Sequence, residues 1–143
     1  HMPSRETYIH TVNTAILGST ALVSKLHPES PDIIPQVAYD SMAHPLLGYI
    51  GAYAASKLVS YRQTFCTAFY MAGATTVNFL TEISQDAILK PEHPFYSPSQ
   101  MPETIKDYSF TLGGAAIFAG IDRVIRRRKE SQELTTMQSA LDR

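Results

Sequence analysis

Across 143 residues the chain carries a formal net charge of −1, a pI near 6.6 and a mean hydropathy of −0.11. That length fits one domain with room for a buried core, and the charge balance leaves no electrostatic footprint for nucleic acid. A single cysteine, Cys66, excludes an intramolecular disulfide and, within an apolar run, reads as a small core residue.

His1-Met2 reads as the scar of a cleaved expression tag, and no A-x-A-like site ends the first apolar run, so no cleavable signal peptide is expected. Four apolar stretches follow, over residues 8–24, 45–60, 64–83 and 108–125. Each exceeds strand length, none alternates with period two, and each is bounded by proline or charge. The expectation is an all-α, four-helix antiparallel bundle over residues 3–128 with a polar tail over 129–143. In that tail Leu134, Met137 and Leu141 are spaced as a weak amphipathic helix or a frayed extension of the fourth.

The connectors differ in kind. Pro28, Pro31 and Pro35 punctuate the first. Only Tyr61-Arg62-Gln63 separates the second and third segments, which predicts a tight helical hairpin. Pro91, Pro94, Pro98 and Pro102 break the connector between the third and fourth helices. Beyond it, Thr104 and Asp107 stand at capping-box spacing ahead of a helix expected to begin near Tyr108.

Polar residues gather where the apolar segments end. Asp40 and His44 open the second, with His44 expected as the cap before Pro45. Glu82, Gln85 and Asp86 close the third, and Asp107 precedes the fourth. The hairpin would bring these ends to one mouth of the bundle. Asp40, His44, Glu82, Gln85 and Asp107 are therefore the candidate ligand-binding residues. Asp40 or Glu82 is expected to accept a hydrogen bond from His44, and Gln85 to bridge to Asp107. Each can equally be read as a helix cap or a solvated side chain. No catalytic role, metal or cofactor is assigned, because no H-x-x-x-H, E-x-x-H, C-x-x-C or G-x-S-x-G pattern occurs. His10, His27 and His93 are not expected to be ligands.

Two compartments fit the pattern. The segments are poor in charge and rich in small residues, and Gly48, Gly51, Gly113 and Gly114 suit close helix approach in lipid. Lys57, Arg62 and the run 126–129 lie on one expected side of the bundle, as the positive-inside rule requires. Against spanning, the first three segments contain Asn, His, Lys or clustered Thr and the fourth contains Asp122 and Arg123, short of the roughly 20 mostly apolar residues that a span needs. A cytoplasmic, soluble bundle would read much the same.

The polar motifs also carry a resemblance. Asp40-Ser-Met-Ala-His44, with Tyr49 shortly after, Glu82-Ile-Ser-Gln85, and Asp107 with Gly114 seven residues on resemble, in order, the motifs of VanZ-like membrane proteins. The likeness covers about residues 11–128. The chain departs from that pattern in having Lys90 and Lys106 where an arginine is usual, and Thr111 where an asparagine is. The resemblance implies a small four-span protein of the cell membrane with its polar motifs facing outward, in a family linked to glycopeptide resistance. The expected function is then an envelope protein whose outward pocket binds a polar ligand or protein partner, with the lipid bilayer as its surroundings. The alternatives are a soluble helical interaction module of effector or immunity type, or a metal-assisted hydrolase on Asp40, His44, Glu82 and Asp107.

Overall fold

Ser4 starts the first helix by accepting the Thr7 backbone N–H on its hydroxyl at 3.2 Å, which satisfies one of the orphan donors of a helix N-terminus. In the computed structural model, which describes residues 4–58, 66–89 and 96–143, α1 runs Arg5–Leu26 and a single turn, α2, spans Gln36–Tyr39. Then come α3, His44–Ser56, and α4, Cys66–Leu89. A 3-10 turn at Pro98–Gln100 leads into α5, Met101–Leu141. The four-helix, all-α expectation holds, and no strand occurs among the described residues.

Directions follow from which ends meet. The start of α3 reaches the late part of α4 through His44 and Asn78, while Tyr70 early in α4 reaches Asp122 late in the core part of α5. His10 near the start of α1 meets Tyr49 in mid-α3, and Val23 near its end meets Tyr39 ahead of α3. Helix α3 is therefore antiparallel to α1 and α4, and α5 is antiparallel to α4.

Short α3 is the central helix, and α1, α4 and α5 all pack on it. Glycine makes this possible. A Cβ on Gly48 would collide with the Thr111 carbonyl, and one on Gly114 with the Pro45 carbonyl. The two glycines thus let α3 and α5 touch backbone to backbone. Gly51 fits likewise against Gly73 and Ala74 of α4, whereas a Cβ on Gly113 would meet no described residue within 4 Å, so the close contact expected of it is not made there. Around this crossing the core is Tyr49, Tyr70 and Phe118 among Ala52, Ala55, Ala74 and Ala115. Phe118 stands edge-on to Tyr49 and Tyr70 at ring separations of 5.2 and 5.3 Å, a favoured aromatic geometry. Cys66 packs against this core while partly exposed.

Several helix ends differ from expectation. Helix α5 begins at Met101, because Pro102 suits the first turn. Thr104 and Asp107 therefore lie inside it and form no capping box, and Thr104 donates back to the Gln100 carbonyl at 3.0 Å. Ala43 caps α3, and His44 is already helical. The tail continues α5 unbroken to Leu141. The hairpin at 61–63 and the connector residues 90–95 lie outside the described residues. No helix among the described residues is long and apolar enough to cross a membrane.

Candidate functional site

Three helices deliver the mouth residues. On α4, Tyr70, Ala74, Asn78 and Glu82 recur every four residues and form one inward stripe, all buried. Asp107 and Thr111 form the matching polar step of α5, and His44 stands in the first turn of α3.

His44 is held from one side. Its Nδ1 lies 2.8 Å from Asn78 Oδ1. An amide oxygen only accepts, so Nδ1 carries the proton and Nε2 faces the other way. There it meets Asp107 Oδ2 at 3.4 Å and Glu82 Oε1 at 4.0 Å. The other Asp107 oxygen accepts from the buried Ser41 hydroxyl at 2.9 Å. Thr111 donates to the Asp107 backbone carbonyl at 2.9 Å, its hydroxyl 3.5 Å from His44 Nδ1. Burial pushes the Tyr108 hydroxyl up, the Glu82 carboxylate adds to that, and the nearby Asn78 amide opposes it.

Of the five residues singled out from sequence, the structure joins three: His44, Glu82 and Asp107. One ligand atom from each lies within 4.8 Å of the others. Asp40 is exposed and accepts instead from Gln36 at 2.7 Å, because α2 and the turn after it carry residue 40 outward and Ser41 inward. Gln85 is also exposed, lining an open groove with Leu80 and Ile88, so it does not bridge to Asp107. Three residues on from Glu82 it has rotated off the buried stripe. The hydrogen-bond acceptor of His44 is Asn78, in place of the expected Asp40 or Glu82, and Asp107 is the carboxylate nearest its other nitrogen.

A second polar cluster lies toward the other end, and sequence reading missed it. Buried His10 meets the Tyr49 hydroxyl through Nδ1 at 2.7 Å, and Asn13 donates to the same hydroxyl at 3.1 Å. Asp122 Oδ2 accepts from the Tyr70 hydroxyl at 3.0 Å and from Arg126 Nε at 2.8 Å. Burial and the neighbouring Asp122 push Tyr70 up to about 12. His10 Nε2 and Asp122 Oδ1 are buried with no hydrogen-bond partner, and Glu6 completes a second trio of possible ligand atoms with them. The local signals were the i,i+4 pairs Asp122–Arg126 and Glu6–His10. The hydrogen-bond and ring partners of His10 on α3 and α5 gave none, since they stand 39 residues and more away.

No family model, curated protein or solved structure matches this chain.

Proposed function

We propose that the α3–α4–α5 mouth is a divalent-cation site, and that the chain is a small binding protein built around it. The observation that carries this reading is the orientation of His44. With Nδ1–H bound to Asn78, its Nε2 lone pair turns toward two carboxylates. A neighbour holding one imidazole nitrogen so that the other can ligate is the recurrent second-shell arrangement of metal-binding histidine. The spacing agrees. Two ligands at about 2.0–2.1 Å on a tetrahedral ion stand about 3.4 Å apart, and Nε2 to Asp107 Oδ2 is 3.4 Å. A small rotation of Glu82 closes its 4.0 Å separation. One imidazole and two carboxylates suit zinc or manganese. The sequence reading assigned no metal, and only the folded geometry supports one.

Titration calorimetry with Zn²⁺ and Mn²⁺ tests it. One equivalent should bind, and Glu82→Gln or Asp107→Asn should weaken binding by about 10–100-fold or more. Asp40→Asn and Gln85→Ala should leave it unchanged. Absence of binding, or equal losses from Asp40→Asn and Asp107→Asn, would refute the site.

A second reading, bilayer association of VanZ-like type, is favoured by the placement of polarity. His10, Asn78, Glu82, Thr111 and Asp122 are buried, while Ile16, Leu22, Leu80, Ile83 and Ile105 are exposed. An exterior more apolar than parts of the interior suits lipid contact. Co-sedimentation with membranes that survives a high-salt wash is the expected result, and recovery wholly in the soluble fraction would overturn this reading.

A further inference from the structure

A cleft with a volume of about 630 Å³ lies between the start of α1 and the middle of α5. It exists because α1 packs on α3 and leaves α5 beside it uncovered. Its floor is apolar: Ile9 comes from α1, and Ile117, Ile121, Val124 and Ile125 recur along one face of α5. At one end the lining changes character. Arg5 of α1 meets Arg128 and Lys129 of α5 there, with Glu6 the acidic residue of the rim. None of those three cations forms an ion pair with a described residue.

We propose that this cleft binds one anionic phospholipid, with its phosphate at Arg5, Arg128 and Lys129 and an acyl chain along the isoleucine floor. Charge and length both argue for this occupant. The rim has a net positive charge, and three cations from two helices, none paired with a described residue, match a phosphate's acceptor oxygens. From Ile117 to Arg128 the apolar floor rises about 16 Å along α5, close to half of a hydrocarbon core of ~30 Å. A headgroup at the rim would therefore place its chain across about one leaflet. A soluble anion would use the rim and leave the floor bare. A neutral lipid would use the floor and leave the cations unpaired. The proposal rests on the bilayer reading and is independent of the cation site at the other end.

The test is vesicle flotation of the full chain. One set of vesicles is pure phosphatidylcholine, and the other contains phosphatidylglycerol. Stronger binding to the anionic set is expected. The double variant Arg128→Gln/Lys129→Gln should lose about 30-fold of that binding, at ~1 kcal/mol per basic residue and 1.4 kcal/mol per tenfold. Arg123→Gln/Arg127→Gln removes the same charge from α5 outside the cleft and should lose much less. Ile121→Asn, with unchanged helical circular dichroism, should also weaken binding. Equal losses from the two double variants would reduce the effect to bulk charge and overturn the site. Equal binding to both vesicle types would overturn the anionic specificity while leaving bilayer association standing, and no flotation would overturn both. Competition by glycerol phosphate as effective as by anionic vesicles would make the rim a phosphate site and also overturn the lipid.

Discussion

At His10 burial outweighs nearby acidity. Desolvation holds its imidazole below the ordinary value of 6.5, with Asp122 and Glu6 opposing and Lys57 and Arg126 assisting. The unfolded chain takes up this proton near pH 6.5, while the folded chain stays neutral to lower pH. In that window the unfolded state binds more protons, so stability falls as pH drops below about 6.5 toward the folded value. Urea melts between about pH 7.5 and about pH 5.5 should show that loss, and His10→Gln should flatten it. An unaltered slope in the variant would assign the pH sensitivity to other groups. Residue-scale legibility divides along the same line. His44, Glu82 and Asp107 could be read from sequence because each sits near a helix end, where a hairpin fixes what it meets. His10, Tyr49 and Asp122 meet where three helices cross, away from any hairpin, and no local spacing encodes such a crossing. Asp40 and Ser41 show the limit at its sharpest: one backbone turn decides which of two neighbours faces Asp107.

Helices were legible as elements because length and apolar content both exceeded what a strand needs, and their ends were not. Pro102 read as a breaker, yet in a first turn it costs nothing, so α5 starts before Asp107 and not after it. The glycines divide in the same way, since spacing on a helix places a residue on a face without saying which face is covered. Gly114 abuts the Pro45 carbonyl and Gly113 abuts no described residue. Gly114→Leu should therefore destabilise by about 1–3 kcal/mol or more, the scale of overpacking. Gly113→Ala should be neutral or stabilise by up to about 1 kcal/mol, because alanine is the better helix former. Denaturant midpoints of the two variants check both, and a tolerated Gly114→Leu would show that the α3–α5 backbone contact does not form. The end of α5 follows the same logic from the other side. Every residue from 127 to 143 is exposed, so deleting residues 134–143 should leave the melting temperature within a few degrees and cation binding intact. A large fall would mean that this stretch has a partner within the folded chain.

For the whole molecule the open question is what the exterior touches. Helical periodicity predicts an apolar stripe turned inward and polar residues outward. In this bundle small residues and aromatics fill the centre, polar side chains occupy both ends of the interior, and many large aliphatics remain outside. Apolar surface left in water gives up roughly 25 cal/mol per Å² of stabilisation, and this is the physical ground of the proposed bilayer contact. Ile16, Leu80 and Ile105, from three helices, are all more than half exposed, at 58%, 57% and 61%. If that surface meets lipid, Ile16→Glu/Leu80→Lys/Ile105→Glu should keep the helical circular dichroism and the Zn²⁺ stoichiometry of the parent. It should also move the protein from the detergent phase to the aqueous phase in Triton X-114 partitioning. Loss of helicity in the triple variant would mean that these side chains pack against protein. A parent chain already aqueous and monodisperse without detergent would sink the bilayer reading, and the cleft's lipid with it, while leaving the His44–Glu82–Asp107 site to be judged by calorimetry alone.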